Sequence, residues 1–261
     1  MRVNLIIPKR GRDSHLPACL HYLDVANAAG AHDVEVLIVE AGAAAPQVAE
    51  RAIPRLSVRV LHRPDPAGAD FARAALLNAG LAAMRPGWDW CGLVDIDMVY
   101  GPGYYTAVER ALSAAGYVLL RGRGLGPEQS EAVLRRLPPA AELAGWPGSP
   151  FPSLSQIAFT PAWLASYREA FAARQLLDER FVGWGHEDLA LEVAANLLAR
   201  AGLAGKAVVE GAWLHLHHER NLRRAQVERN LALAVAVAEE LQARLQAHLA
   251  RRRPSPAQPH L

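Results

Sequence analysis

Cys91-Gly92-Leu93-Val94-Asp95-Ile96-Asp97 is the stretch around which the chain is organised. Its continuous apolar run predicts a buried strand over 90–95. The carboxylates of Asp95 and Asp97 follow where that strand leaves the core, at the edge where open α/β sheets bind ligands. Neighbouring carboxylates repel each other, and a divalent cation with oxygen ligands offsets that repulsion. The stretch predicts a metal-assisted site for a phosphorylated ligand. The alternative is that one acid caps the next element and the other is solvated.

The bulk composition indicates a globular protein with one large domain or two small ones. The chain has 261 residues, 51% of them hydrophobic and 21% charged, and its formal net charge is +2. This charge is too small to indicate a nucleic-acid partner. Cys19 and Cys91 form no disulfide or metal-binding pattern, which favours a reducing compartment. The first apolar run is too short for a signal peptide, and no run is long enough for a transmembrane helix, so we expect a cytoplasmic protein.

The first hundred residues alternate between strand and helix patterns. Strands are predicted at 3–7, 34–39, 57–61 and 90–95, and helices at 15–29 and 71–84. Such alternation predicts parallel strands joined by right-handed crossovers, as in a nucleotide-binding α/β half. No Gly-x-Gly-x-x-Gly or Gly-Lys-Ser/Thr loop is present, so neither a dinucleotide fold nor a phosphate loop is predicted.

The second half is less regular. Helices are predicted at 102–115, 128–143, from Pro161 onward and at 189–201, and strands at 117–121, 157–160, 207–209 and 212–216. A long helix at 221–252 has an apolar stripe formed by Leu231, Val235, Leu241, Leu245 and Leu249. This stripe predicts packing on the domain or on a second copy in a homodimer. Arginines at 251–253 suggest at most a weak peripheral membrane contact.

Two further clusters contain residues that could bind a ligand or take part in a reaction. Glu187 and Asp188 precede a helix, where carboxylates either cap the helix or act in a site. Trp184 stands between Gly183 and Gly185, and this predicts a mobile loop with an aromatic face suited to a sugar ring.

His215-Leu216-His217-His218 is the candidate source of further metal ligands. In a strand, His215 and His217 would share one face and His218 would lie on the other. A partly buried, hydrogen-bonded histidine pair is the alternative, and the sequence does not decide which of the three histidines binds metal. Mixed carboxylate and imidazole ligands suit manganese, whereas zinc would normally have more nitrogen or sulfur ligands.

These motifs, in this order, resemble those of the β-1,4-galactosyltransferase family. The matching stretches are 7–12 (Ile-Pro-Lys-Arg-Gly-Arg), 71–80 with 95–97, 183–188 and 215–218. Related motifs occur in polypeptide N-acetylgalactosaminyltransferases and bacterial chondroitin polymerases. Leu189 stands where the family has a further acid, and His186 where it has a glycine.

The resemblance implies the GT-A fold: an α/β, Rossmann-like mixed sheet flanked by helices, here with a long C-terminal helix. Residues 1–220 would form the glycosyltransferase domain, with a nucleotide-binding half at 1–100 and an acceptor half at 101–220. Residues 221–253 would form the C-terminal helix, and 254–261 a disordered tail. The membrane anchor of animal members is absent, which favours a bacterial cytoplasmic protein.

The resemblance also implies roles for individual residues. Those expected to bind the nucleotide sugar are Pro8, Arg10, Arg12, Phe71, Arg73, Asp95 and Asp97. Asp97, His215 and His218 would hold Mn²⁺ or Mg²⁺. Trp184, Gly185 and Glu187 would bind the acceptor, with Asp188 as the catalytic base beside Glu187.

The function expected from these residues is transfer of a hexose from a nucleotide sugar, UDP-linked in this family, to an acceptor hydroxyl. With Asp188 as general base, the anomeric centre would be inverted. The alternatives are a retaining GT-A transferase that uses a GDP- or UDP-sugar, and a non-catalytic nucleotide-sugar-binding protein. A metal-binding interaction module built on the C-terminal helix is a further alternative.

Overall fold

The computed structural model describes residues 1–28, 31–42, 51–65, 69–150, 156–219 and 223–252. The predicted disordered tail at 254–261 and the first residues of the predicted 221–252 helix lie outside these ranges. No helix among the described residues combines the length and the apolar character needed to cross a membrane.

The first half contains the predicted alternation of strands and helices. Its elements are β1 (Arg2–Lys9), α1 (His15–Ala26), β2 (Asp33–Ala41), β3 (Arg51–Ile53), β4 (Leu56–Arg63), α2 (Arg73–Ala83), β5 (Trp90–Leu93) and β6 (Met98–Tyr100). β1 pairs in parallel with both β2 and β5, and β2 pairs in parallel with β4. β1 and β2 are buried along nearly their whole length, as strands with both faces covered should be.

The second half adds antiparallel strands to the same sheet. Its elements are α3 (Tyr104–Ala115), β7 (Tyr117–Gly124), α4 (Pro127–Arg136), α5 (Ala140–Ala144), β8 (Ser149–Pro150), β9 (Gln156–Phe159), α6 (Pro161–Phe171), α7 (Glu187–Arg200), β10 (Ala207–His215) and α8 (Arg224–Arg252). The strand order is β3-β4-β2-β1-β5-β9-β7-β10-β6, with β8 paired to β7. β9 is antiparallel to both β5 and β7, so it joins the two halves into one mixed sheet.

Helices cover both faces of the sheet. One core contains buried side chains of α2, α6, α7 and α8, and the other contains those of α1 and α3. The site residues therefore lie at an edge between two packed layers, on elements that the cores hold in place.

Three sequence predictions differ from the structure. The predicted helix at 128–143 is interrupted, because Leu137 has a φ of +47° and two prolines follow it. The predicted strands at 207–209 and 212–216 are one strand, β10, with a register shift between Val209 and Trp213. The strand predicted at 90–95 ends at Leu93, and β6 follows as a short strand that the sequence did not indicate.

The apolar stripe predicted for the long helix is buried at Leu241 and Leu245 but not in the first part of the helix. The buried residues of α8 are Asn230, Ala234, Val237, Leu241, Leu245 and His248. Leu231 and Val235 are 48% and 56% exposed. A polar residue and an alanine occupy the buried face because α8 packs closely there and Asn230 forms specific hydrogen bonds, which hydrophobicity does not report.

Candidate functional site

The two acids of the opening stretch lie in the short connection between β5 and β6. The N–H of Val94 donates to the carbonyl oxygen of Ile6, so the chain leaves β5 still attached to β1. With the Gln156 amide oriented so that both its ends are paired, its oxygen accepts from the N–H of Asp95 at 2.9 Å and its nitrogen donates to the hydroxyl oxygen of Tyr100 at 2.8 Å. The backbone that carries the carboxylates is therefore hydrogen-bonded to β1 and to the Gln156 side chain of β9.

Asp97, His215 and His218 form a group of potential metal ligands. One ligand atom from each lies within 4.8 Å of the others. Asp97 Oδ2 is 3.1 Å from His218 Nε2, and Asp97 Oδ1 is 3.7 Å from His215 Nε2. β10 pairs with β6, which brings His215 opposite Met98 and hence beside Asp97.

The histidine cluster is arranged differently from a continuous strand. β10 ends at His215, so the expected alternation, with His217 on the face of His215, does not apply. The N–H of Leu216 donates to the carbonyl oxygen of Asp97, and this turn brings the His218 ring to 5.1 Å from the His215 ring. His217 is exposed, and its N–H donates to Ser130 Oγ at 2.7 Å. Of the three histidines, the structure therefore places His215 and His218 at Asp97.

The chemistry of this group suits a divalent cation. Asp97 Oδ1 is buried and has no hydrogen-bond partner among the described residues. His218 Nδ1 lies 2.9 Å from the carbonyl oxygen of Glu219, and Nε2 is the ring nitrogen that faces Asp97 Oδ2. Burial alone would raise the pKa of Asp97, but the hydrogen bond of His218 and the charges of His215 and Arg12 hold it well below its ordinary value. Asp97 is thus ionised, as a ligand must be.

Basic side chains from the loop after β1 border the group. Arg12 forms an ion pair with Asp97, and its Nη2 lies 3.2 Å from His218 Nδ1. Arg10 lies beside the Asp65 carboxylate at 3.7 Å and donates to the carbonyl oxygen of Ala69. Pro8 is buried near the end of β1, just before this loop, and its contact with a nucleotide stays a prediction. Contact of Arg10 and Arg12 with a nucleotide and its diphosphate stays a prediction.

Arg73 connects the two acidic parts of the site. Its Nε and Nη2 donate to Asp95 Oδ1 at 2.9 and 2.7 Å, and its Nη1 donates to Glu187 Oε1 at 2.9 Å. Burial raises the pKa of Asp95 and of Glu187, and the charge of Arg73 opposes both rises. Arg73 thus keeps carboxylates from opposite halves of the chain together. Direct contact of Arg73 with a donor phosphate stays a prediction.

The segment 183–188 turns sharply before α7. Gly183, Gly185 and His186 have φ values of +83°, +88° and +76°. Trp184 is 41% exposed, and its ring lies 6.1 Å from that of His186. Glu187 is buried in the first turn of α7, while Asp188 is half-buried and its Oδ1 accepts from the N–H of Leu189. The N–H of Gly183 donates to the carbonyl oxygen of Phe71, so the segment is attached to the start of α2.

Two residues at the site were not found from the sequence. His15 is buried, its ring lies edge-on to His218 at 6.5 Å, and its Nε2 has no hydrogen-bond partner among the described residues. Asn230 of α8 donates to carbonyl oxygens of Val182 and Trp184. Neither residue belongs to a local motif, and the contacts arise from tertiary packing, so no sequence signal indicated them.

No family model matches the sequence, and no curated protein matches it. The fold is nevertheless similar to solved structures. Staphylococcus aureus TarS 1–349 superposes with a TM-score of 0.58 at 12% identity, over 97% of this chain and 72% of that chain. The catalytic domain of Drosophila β1,4-galactosyltransferase 7, in complex with xylobiose, superposes with a TM-score of 0.52 at 14% identity, over 88% of this chain and 79% of that chain.

Complexes of the same two proteins with nucleotide sugars superpose similarly. TarS 1–349 with UDP-GlcNAc has a TM-score of 0.57 at 12% identity, over 96% of this chain and 72% of that chain. A mutant of the Drosophila enzyme in complex with manganese, UDP-Gal and xylobiose has a TM-score of 0.51 at 14% identity, over 87% of this chain and 79% of that chain. At such identities the likeness shows the fold, and the chain therefore has the GT-A glycosyltransferase fold that its motifs implied.

Proposed function

We propose that the protein is a metal-dependent glycosyltransferase that moves a hexose from a UDP-linked sugar to an acceptor hydroxyl with inversion. The observation that carries the proposal is the arrangement of two acidic groups at one site. Asp97 lies in the first half of the chain, whereas His215, His218 and the Glu187–Asp188 pair lie in the second. Arg73 links the two halves through Asp95 and Glu187.

The metal-ligand group and the loop after β1 supply charge complementarity to a nucleoside diphosphate. Asp97, His215 and His218 would hold Mn²⁺ or Mg²⁺, and Arg10 and Arg12 would contact the diphosphate and the uridine. When bound, the cation offsets the negative charge that grows on the leaving diphosphate. Solved relatives in fold were crystallised with UDP-GlcNAc and with manganese and UDP-Gal, which supports this class of donor.

The acceptor half supplies proton transfer and exclusion of water. Asp188 would take the proton of the attacking hydroxyl, and its half-buried position leaves it reachable by an acceptor. Trp184 would pack on a sugar ring, Gly185 would permit the turn, and Glu187 would orient hydroxyls. Attack from the face opposite the leaving diphosphate inverts the anomeric centre.

The test needs no known acceptor, because water replaces the acceptor at a low rate in a hydrolysis assay. Release of the nucleoside diphosphate is measured for UDP-Gal, UDP-GlcNAc and UDP-glucose (as UDP) and for GDP-mannose (as GDP), with and without Mn²⁺. The released sugar is followed by proton NMR before it mutarotates. We expect Mn²⁺-dependent UDP release and an initial β-sugar from the α-linked donor. An initial α-sugar would contradict inversion, and a preference for GDP-mannose would contradict the UDP-linked donor. If no donor is turned over, the proposal that the protein is an enzyme is contradicted.

A further inference from the structure

The beginning of α8 lies against the segment that leads to the proposed catalytic base. Asn230 is 0% exposed, although it is polar. Its Nδ2 donates to the carbonyl oxygen of Val182 at 3.2 Å and to that of Trp184 at 3.0 Å. Arg229 Nη2 also donates to the carbonyl oxygen of Val182, at 2.9 Å. One buried amide thus fixes two carbonyl groups on either side of Gly183.

The opposite side of this segment is fixed as well. The N–H of Gly183 donates to the carbonyl oxygen of Phe71 at 2.9 Å, just before α2. A Cβ at Gly183 would lie 1.9 Å from the amide nitrogen of the Gln226 side chain, so Gly183 packs directly against the side chain of a residue in the first turn of α8. The segment is therefore held between the start of α2 and the start of α8.

These contacts hold the segment at glycine residues, where the backbone has the most conformational freedom. Glycines at 183 and 185 give the segment many accessible conformations in the absence of external contacts. The direction in which Trp184 and Asp188 leave the turn depends on which of these conformations is populated. Small errors in the position of a reacting group lower rates strongly.

We infer that Asn230 is a positioning residue, through which the C-terminal helix fixes the acceptor segment 182–188 in its productive conformation. The inference rests on the proposed function, because it assigns the segment its role in catalysis. It extends that function by making α8 part of the catalytic architecture rather than a packing element alone.

Asn230→Asp is the informative variant because it keeps the shape of the side chain and replaces its NH₂ donor with an oxygen that faces two carbonyl groups. Leu245→Ala is the matched control: Leu245 is buried on the same helix, in the core shared with α6 and α7, and makes no contact described here with the segment. The control separates loss of loop position from general weakening of α8.

The experiment combines hydrogen–deuterium exchange of 182–188 with steady-state UDP release from the best donor in the panel. For Asn230→Asp we expect exchange in 182–188 to be about tenfold faster and kcat to fall about tenfold or more, with the donor KM within about twofold. Leu245→Ala should lower Tm but leave both quantities near wild type at a temperature where it is folded.

Unchanged exchange in Asn230→Asp overturns the inference, as does faster exchange with an unchanged kcat. The inference is also overturned if Leu245→Ala changes the exchange of 182–188 and kcat as much as Asn230→Asp does, because the effect would then be one of helix stability. If the wild type releases no UDP from any donor, the proposed function is overturned instead, and the exchange measurement still decides whether Asn230 fixes the segment.

Discussion

Asp97 is the residue at which most of the interactions of the site meet. Its carboxylate contacts Arg12, His215 and His218 although it is only 2% exposed. The sequence indicated the pair Asp95 and Asp97 as a cation site from its position after a buried strand, and the resemblance to known glycosyltransferases singled out Asp97 as the ligand. It left the choice among His215, His217 and His218 open, because that choice depends on where β10 ends.

Asp188 can be tested as a base by removing its charge. We expect Asp188→Asn to lower kcat for UDP release by about 100-fold or more, since a general base contributes about 10²–10⁴-fold. Binding of UDP and Mn²⁺, measured by thermal shift, should be retained because Asp188 lies in the acceptor half. Glu239→Gln, at an exposed position on α8, is the control and should behave as wild type. Loss of UDP binding in Asp188→Asn would assign Asp188 to the donor site instead.

His186 stores backbone strain at the turn before α7. A non-glycine residue in the left-handed region costs roughly 1 kcal/mol, and His186 has a φ of +76°. We predict that His186→Gly raises the free energy of unfolding by about 1 kcal/mol in urea denaturation.

The neighbouring Gly185 supplies the reciprocal control for that measurement. Its φ is +88°, and a Cβ there would meet nothing within 4 Å, so Gly185→Ala should cost about 1 kcal/mol for conformational reasons alone. If His186→Gly were neutral or destabilising while Gly185→Ala behaved as expected, the His186 side chain would have a stabilising contact that outweighs the strain.

At the scale of elements, α8 shows how the buried face of a correctly predicted helix can be right over one part of its length and wrong over another. The sequence predicted the helix from its long run of alanine, leucine and arginine. The predicted stripe is buried at Leu241 and Leu245. In the first part of the helix, however, Asn230 and Ala234 are buried while Leu231 and Val235 are exposed. Hydrophobicity reports burial only on average, and hydrogen bonds to another segment override it at single positions.

Two leucines of α8 test this orientation with the same chemical change. Leu241→Ala should cost about 2–4 kcal/mol of unfolding free energy, because Leu241 is buried in the core shared with α6 and α7. Leu231→Ala should cost less than about 1 kcal/mol, because Leu231 is 48% exposed. Chemical denaturation measures both. Equal losses would mean that the outer face of α8 is also covered, as in a dimer through this helix.

Short strands are a second feature at this scale that the sequence did not predict. The sequence located β1, β2, β4 and β5 because each contains a recognisable apolar pattern bounded by turn residues. β3, β6 and β8 are too short for a pattern, since they span 51–53, 98–100 and 149–150. β6 nonetheless matters for the site, because its pairing with β10 brings His215 to Asp97.

For the whole molecule, local sequence predicted the parallel half but not how the halves join. Alternation of strands and helices implies parallel neighbours, whereas the antiparallel insertion of β9 between β5 and β7 is a long-range pairing without a local signal. The mixed sheet was expected only through resemblance to known glycosyltransferases. The same holds for the site, where Arg12 and His218 meet Asp97 across most of the chain length.

The central claim is that the group at Asp97 binds a divalent cation that in turn supports binding of a nucleoside diphosphate. Isothermal titration of UDP, with and without Mn²⁺, into the wild type and Asp97→Asn tests it most directly, and circular dichroism confirms that the variant is folded. We predict that Mn²⁺ tightens UDP binding to the wild type by about tenfold or more, and that Asp97→Asn removes this gain. UDP affinity that is independent of Mn²⁺ in the wild type, or a gain that survives in Asp97→Asn, would contradict it.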